Sequence, residues 1–313
     1  MQFVTRPQAI AETESPPSST LVRVAALAVI WGFSFLLIKI GGAALAPLQI
    51  AVGRMVSGAA LLVAVLLVRR ERLPRGWRIW GHLALAALLL NTIPFSLFGY
   101  AEERIPSALA GICNATTPLF TLLMSLVAFG GKPPTRARAL GLTVGFAGVM
   151  VVLGVWRGLG AHDLAGTLMA LGAAFCYGVG LPYLRRHLAD SGHSNLALST
   201  GQLLAGSAQL LLLTPLCTHA PTRLPISAGL AVLTLGALGT GLAHLINYSV
   251  IRDVGATVAS TVTYLIPVVS TLAGVLILGE RLRWNEPLGA TVILVGAALS
   301  GGHLPLLVQR LRS

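Results

Sequence analysis

The sequence predicts an all-α integral membrane protein with ten transmembrane helices arranged as two inverted five-helix repeats. Three observations support this prediction. Of the 313 residues, 55% are hydrophobic and only 10% are charged, which leaves too few charges to cover a soluble domain of this size. Apolar stretches of membrane length recur along the whole chain. One set of marker residues also occurs twice in the same order.

The apolar stretches are continuous and rich in Leu, Ala, Val and Gly, which favours helices over the short alternating strands of a barrel. Each approaches the roughly 20 residues that a helix needs to cross a bilayer. They fall at about 22–40, 46–68, 79–101, 105–129, 138–156, 164–184, 195–217, 225–250, 254–279 and 285–301. These ten helices use almost the whole chain, so we expect no separate catalytic domain and no enzyme activity.

Matching residues in the two halves define the repeat. Tyr100 and Arg104, near the end of the third span, correspond to Tyr248 and Arg252 near the end of the eighth. Further pairs are Trp31-Gly32 with Tyr177-Gly178, Gly53-Arg54 with Gly201-Gln202, Pro118 with Pro267, and Gly130 with Gly279. Because each copy has an odd number of spans, the two copies must enter the membrane from opposite sides. Such inverted repeats are typical of secondary transporters, whose substrate site lies near the midplane.

The predicted boundaries follow from the repeat and from the composition of the ends. Residues 21–156 and 162–302 form the two five-helix repeats. Residues 1–20 are a flexible cytoplasmic tail, and residues 303–313 are a short basic one. Most Lys and Arg residues fall in segments that share a side with the N-terminus. The positive-inside rule therefore predicts a multi-pass protein of the cytoplasmic (inner) membrane with both termini in the cytoplasm.

The net charge of +12 is accounted for by this topology, so we expect no nucleic-acid partner. The three cysteines form no paired framework and no metal-type spacing. Motifs for nucleotide binding, zinc hydrolysis and serine nucleophiles are missing from the sequence. We therefore expect no cofactor, no metal and no catalytic residues.

Polar side chains inside the spans are the candidate substrate-binding residues, since a charge at the bilayer centre costs at least about 2.5–3.5 kcal/mol. Arg54 either faces a central cavity and binds a substrate carboxylate or phosphate, or it pairs with helix-end carbonyls or with Glu102 or Glu103. Lys39 lies nearer the interface, where a long side chain can reach water, and we expect it to be structural. The other candidates are Trp31, Asn91, Asn114, Thr117, Tyr177, Gln202, His244, Asn247 and Tyr264.

Spacing suggests roles for some of these candidates. His244 and Asn247 share one helical face with Thr240, which favours a polar stripe along a cavity. His244 either binds a proton during transport or stays neutral and bonds to a carbonyl. Pro118 and Pro267 each remove a backbone donor in mid-membrane, which predicts either hinges or tolerated kinks. Because the middle of every span lacks Asp and Glu, we expect no carboxylate relay there; coupling to protons would use His244 or an acidic residue at a span end.

These motifs, in this order, resemble those of the drug/metabolite transporter superfamily and, within it, the EamA-type ten-helix transporters. The shared features are Trp31-Gly32, Arg54, Pro118, Pro267, Gly279-Glu280-Arg281 and the Gly-rich fifth and tenth spans. The first copy departs from the family pattern, because Gly130-Gly131-Lys132 stands where a Gly-Glu-Arg run is usual.

The resemblance implies secondary transport of small metabolites by alternating access, most often export of amino acids or related compounds. It also implies a cavity built from helices one, three, four, six, eight and nine. Efflux of drugs or other cationic compounds, and exchange of sugar or nucleotide derivatives, are the alternatives; a membrane enzyme or a channel is less favoured. The expected partners are a small-molecule substrate and the lipid bilayer. The glycine-rich fifth and tenth helices would pack behind the cavity or against a second protomer in a homodimer.

Overall fold

The computed structural model describes residues 18–128, 135–153, 156, 163–188, 191–221, 223–247, 249–250 and 262–300. Within these ranges the chain forms ten helices and no strand, which confirms the predicted all-α class. The helices are α1 Ser18–Gly42, α2 Pro47–Val68, α3 Trp77–Glu102, α4 in two segments (Ser107–Asn114 and Thr117–Val127), α5 Arg136–Leu153, α6 Leu164–His187, α7 Asn195–Cys217, α8 Ile226–Asn247, α9 Val262–Leu278 and α10 Asn285–Ser300.

Seven helices, α1 to α4 and α6 to α8, are long and apolar enough to cross a membrane. The apolar parts of α5 and α9 are shorter, at Ala139–Val152 and Leu265–Leu278, and α10 has 16 residues. Large apolar side chains lie on the outside of the bundle; Leu212 is 74% exposed and Leu276 is 77% exposed. Contiguous exposure of such side chains is costly in water but suits a hydrocarbon environment.

Helix contacts follow the repeat. In the first half α1 packs against α8 and α9 of the second half, and α6, the counterpart of α1, packs against α3 and α4. Similarly α2 contacts α8, while its counterpart α7 contacts α3. The pairs α2–α7, α4–α9 and α5–α10 each join a helix to its own counterpart. This exchange of partners agrees with two related five-helix units whose interface runs through the middle of the bundle.

Two π-helical turns interrupt α3 and α8 at related positions. The first spans Leu88–Thr92 and the second spans Ala237–Leu242. The repeat places Thr92 opposite Thr240, so each turn holds the same residue type at the same register. A π-helical turn shifts the backbone hydrogen bonds and occurs frequently at functional sites. The sequence analysis did not predict these turns.

The prolines in α4 and α9 have different surroundings. Helix α4 is broken at Ala115–Thr116, and Pro118 is the second residue of the segment that follows. Helix α9 continues through Pro267, which lies inside it. The two related prolines therefore sit in unlike backbones, and a hinge role for either one stays a prediction.

Glycines allow α5 and α10 to pack at close range. A Cβ on Gly148 would lie 2.7 Å from the amide nitrogen of Ile293, and one on Gly296 would lie 2.7 Å from the carbonyl oxygen of Gly141. Neither distance leaves room for a methyl group. The two helices therefore pack closely against each other within one protomer, and packing against a second protomer stays a prediction.

Candidate substrate site between the two halves

Arg54 lies in α2, about two turns from its beginning, and its side chain is only 6% exposed. Its Nε donates to the hydroxyl of Thr240 at 3.1 Å, and its guanidinium carbon lies 3.6 Å from the centre of the Phe95 ring. Thr240 belongs to the π-helical turn of α8, so this contact joins the two halves. A hydroxyl and an aromatic face both stabilise a cation, but neither neutralises it.

The described residues show no direct contact of Arg54 with the alternative partners, and the choice between a binding and a structural role stays a prediction. Among the described residues, no ion pair within 4 Å joins Arg54 to an acidic side chain, Glu102 and Glu103 included. Its one recorded hydrogen bond goes to a side-chain hydroxyl rather than to a helix-end carbonyl. The terminal nitrogens of the guanidinium therefore keep donors for another acceptor.

Gln202, the repeat counterpart of Arg54, makes the matching contact on the other side of the bundle. Its Nε2 donates to Oδ1 of Asn91 at 2.6 Å, and Asn91 belongs to the π-helical turn of α3. Both side chains are buried, at 2% and 0% exposure. Asn91 Nδ2 and Gln202 Oε1 have no protein partner in the described part of the chain. Either orientation of the two amides thus leaves one donor and one acceptor unused.

Trp31 and Tyr177, the aromatic residues at equivalent positions of the two repeats, flank the region of Arg54 and its contacts. Trp31 in α1 donates from its ring nitrogen to the carbonyl oxygen of Gly239 in the π-helical turn of α8, at 3.1 Å. Tyr177 in α6 lies 6.3 Å from the Phe98 ring and packs against two apolar clusters of the core. Trp31 therefore helps to fix the same turn that holds the hydroxyl partner of Arg54.

His244 and Asn247 extend the polar face of α8 away from that turn. His244 is half-buried, and its Nδ1 lies 2.7 Å from the carbonyl oxygen of Thr240. A carbonyl oxygen can only accept, so Nδ1 carries a hydrogen, in agreement with the interpretation of a histidine bonded to a carbonyl. Asn247 is half-buried one turn further along α8. Thr240 thus contacts Arg54 through its hydroxyl and His244 through its backbone.

Asn114 and Thr117 lie on either side of the break in α4. Thr117 donates to Asn114 Oδ1 at 3.4 Å, and both side chains are buried. No hydrogen bond or ring contact among the described residues joins this pair to Arg54 or to the Asn91–Gln202 pair, so these contacts place the candidates in three groups. The side chain of Tyr264, the last candidate, lies outside the described residues.

One end of the bundle is held closed by polar contacts; we call it the Glu280 end, where α3 meets α4 and α9 meets α10. The carboxylate of Glu280 accepts from the backbone nitrogens of Ser107 and Ala108, at 2.8 and 3.0 Å, at the beginning of α4. Gln49 donates to the carbonyl oxygen of His219 at 2.6 Å. Both contacts join the two halves, and the sequence analysis predicted neither of them.

Lys39 lies at this same end. Lys39 is half-buried, and its ammonium group donates to the carbonyl oxygens of Glu102 and of Ile105, the latter at 3.2 Å, in agreement with a structural role. A cation there stabilises the end of α3, where backbone carbonyls lack helical partners.

The opposite end, which we call the Arg69 end, contains a cavity of about 420 Å³. It lies where α2 ends, α7 begins and α8 ends. Ser194 donates to the carboxylate of Glu71 across this end. The lining residues are Arg69, Glu71, His193, Ser194, Asn195, Leu196, Leu245 and Ser249. Among the described residues, polar contacts therefore join the two halves at both ends, and a cavity lies at the Arg69 end.

A helical membrane protein with two related halves and buried polar side chains where they meet has the architecture of a small-molecule transporter. The pattern of the EamA-like transporter family matches residues 19–154 and again residues 164–302. The chain belongs to that family.

Similar proteins bear related names. The chain is 31% identical over 276 residues to the "Uncharacterized inner membrane transporter YedA" of Escherichia coli, covering 88% of each protein. It is 28% identical to the "Uncharacterized transporter YvbV" of Bacillus subtilis, covering 91% of this chain and 92% of that one. The fold also matches a solved crystal structure with a TM-score of 0.64 and 25% sequence identity. The match covers 91% of this chain and 99% of the chain in that structure.

Proposed function

We propose that this protein exports amino acids or related small metabolites that carry a carboxylate, by alternating access across the cytoplasmic membrane. The observation that carries this proposal is the buried Arg54 guanidinium between the halves, which is held by Thr240 and Phe95 and has no acidic partner within 4 Å among the described residues. A buried cation without an acidic partner is stabilised by an anionic ligand, and a planar guanidinium fits a carboxylate through two parallel hydrogen bonds.

The amide pair on the other side of the centre complements this charge. Asn91 and Gln202 keep one free donor and one free acceptor in a buried place. Neutral polar groups of this kind suit the amino or side-chain groups of a small zwitterion, while Arg54 binds its carboxylate. A cationic drug would instead meet the positive charge of Arg54, so cation efflux is the less favoured function.

The unequal ends support alternating access. The Arg69 end holds a cavity and one described contact between the halves, Ser194 with Glu71, while Glu280 and Gln49 each connect the halves at the other end. The segment that joins α2 to α3 carries several arginines. By the positive-inside rule the Arg69 end and its cavity face the cytoplasm, and in the proposed cycle substrate enters from this side. Release outside then requires the contacts at the Glu280 end to break while the Arg69 end closes.

The test is a thermal-shift screen of the purified protein with free amino acids and with the corresponding amino-acid amides, whose carboxyl group is neutral. A ligand that binds only the folded protein raises its melting temperature; at one hundred times its Kd the stabilisation is about 2.7 kcal/mol. We expect at least one amino acid to raise the melting temperature and its amide to have no effect. Arg54→Gln should abolish the shift, whereas Arg72→Gln, which removes an exposed arginine outside the centre, should retain it.

Transport itself is measured by counterflow in proteoliposomes that contain the ligand found in the screen. A transporter saturates and accumulates label against the preloaded compound. A flux that stays proportional to concentration would contradict alternating access. Stabilisation by cationic drugs that persists in Arg54→Gln would contradict the assignment of a carboxylate ligand.

A further inference from the structure

We propose that Glu102 is a proton-binding site placed between the candidate substrate site and the contacts that close the Glu280 end. Glu102 is the last residue of α3, and its side chain is only 2% exposed. Both carboxyl oxygens are buried and have no hydrogen-bond partner in the described part of the chain. The neighbouring Glu103 and Arg104 are exposed, so the burial is particular to this one acid.

Three charged groups on other elements lie near this carboxyl: Lys39 on α1, Arg54 on α2, and Glu280 between α9 and α10. None of them pairs with it within 4 Å. The ammonium group of Lys39 donates to the backbone carbonyl of Glu102 rather than to its carboxyl group. Arg54 bonds to Thr240 and packs on Phe95. Glu280, a like charge, favours the neutral form of Glu102.

The other acids in this region differ from Glu102 in an informative way. Glu280 accepts from two backbone N–H groups of α4, and Glu286, which is equally buried, accepts from the backbone nitrogen of Arg283 at 3.1 Å. Donors of this kind stabilise a carboxylate. Glu102 has no such donor among the described residues, so its ionised form would be a buried charge without any hydrogen bond. The neutral form, with the proton on a carboxyl oxygen, is therefore the stable one in this conformation.

Opening of the Glu280 end would change this balance. When the backbone contact of Glu280 with α4 breaks, water reaches the carboxyl of Glu102, which gives its proton to water and becomes a carboxylate. The nearby ammonium of Lys39 and the guanidinium of Arg54 stabilise that negative charge. Proton release is then linked to the same movement that releases substrate. This link rests on the proposed transport function; the protonation of Glu102 in the closed form does not.

The experiment is infrared spectroscopy of the full-length protein in lipid, titrated in heavy water and in water between pH 5 and pH 9. The probe is the proton itself, so no substrate is needed. A protonated carboxyl group gives a C=O stretching band that shifts on deuteration. We expect wild-type protein at pH 7 to show such a band and Glu102→Gln to lose the share of one carboxyl group. Glu103→Gln, which changes the adjacent exposed acid, should keep it.

Glu102→Asp provides the readout if the amide variant does not fold, because an aspartic acid would move the band rather than remove it. A wild-type spectrum with no protonated carboxyl at pH 7, or one unchanged by both Glu102 substitutions, would overturn the proposal. Because these spectra are recorded without ligand, they stand even if the screen with amino acids finds none. Conversely, a ligand that binds through Arg54 in a protein whose Glu102 is ionised would leave the transport proposal intact and refute this one.

Discussion

Gly296→Ala tests whether the fold depends on the close approach of α5 and α10. A Cβ at this position would lie 2.7 Å from the carbonyl oxygen of Gly141 and still closer to the amide nitrogen and Cα of Gly145. All three are backbone atoms, so no side-chain rotation can relieve the contact. The two helices must separate, or α10 must slide along α5.

The magnitude follows from two opposing effects. Alanine in a helix gains up to about 1 kcal/mol over glycine. Overpacking of a tight interface costs about 1–3 kcal/mol. Gly81 in α3 provides a matched control, because a Cβ there would have no atom within 4 Å. Gly81→Ala should therefore gain helix stability without any overpacking cost. The difference in unfolding free energy between the two alanine variants should therefore equal the overpacking cost, about 1–3 kcal/mol.

The assay is thermal unfolding of the purified variants in one detergent, followed by tryptophan fluorescence. Trp156 and Trp284, whose ring centres lie 5.6 Å apart, report locally on the ends of these helices. Gly145→Ala should be milder, because its Cβ would meet the side-chain end of Leu119. A melting temperature of Gly296→Ala equal to or above that of Gly81→Ala would refute the reasoning.

Three further outcomes are expected. Glu280→Gln weakens the closed end, so a cysteine introduced at Ile105, which is 2% exposed, should react faster with a water-soluble maleimide in protein lacking its native cysteines. Gln202→Leu should lower stability by about 1–3 kcal/mol, because it leaves buried Asn91 without its partner. The pKa of Asp163 lies below its usual 3.8, chiefly because a backbone N–H of α6 donates to it. Its stabilising contribution is therefore present above that value and lost as the pH falls further, and the melting temperature should decrease below about pH 4.

Each of these has its own control. Arg281→Gln alters the neighbour of Glu280 without touching the α4 contact, and equal labelling of the two variants would contradict the proposed closure. A double replacement of Asn91 and Gln202 by apolar residues should cost less than the sum of the single changes; simple additivity would count against a shared contact. Asp163→Asn keeps an acceptor but not a charge, so an acid-induced loss of the same size there would exclude Asp163 as its source.

The architecture could be predicted because it depends on periodic and compositional signals. Long apolar stretches mark helices in a membrane, and the repeated positions of Trp31 and Tyr177, or of Pro118 and Pro267, identify the two halves. The glycines of α5 and α10 predict close packing for the same reason, since only a missing Cβ permits it. These signals lie in the chain itself and do not require knowledge of which helices are neighbours.

The partners inside the site could not be predicted, because they depend on how the halves meet. Arg54 and Thr240 are separated by 186 residues, and Asn91 and Gln202 by 111. The repeat equates Arg54 with Gln202 but says nothing of what each contacts. The π-helical turns were missed because a shift in backbone hydrogen bonding leaves the apolar pattern intact. The recurrence of Thr92 as Thr240 was the one trace of them in the sequence.

The carboxylate at residue 280 makes the two faces of this protein energetically unequal. The equivalent position in the first repeat is Gly131, which has no side chain that could make the same contact with a helix beginning. Each 1.4 kcal/mol that the Glu280 contact contributes shifts the ratio of the conformations with and without this contact about tenfold. Under the proposed alternating access, a compound arriving from the disfavoured side must first draw the protein out of its more stable form, so its apparent affinity falls by the same factor. The nearly symmetric duplicated structure thereby acquires an intrinsic preference for one of its two conformations.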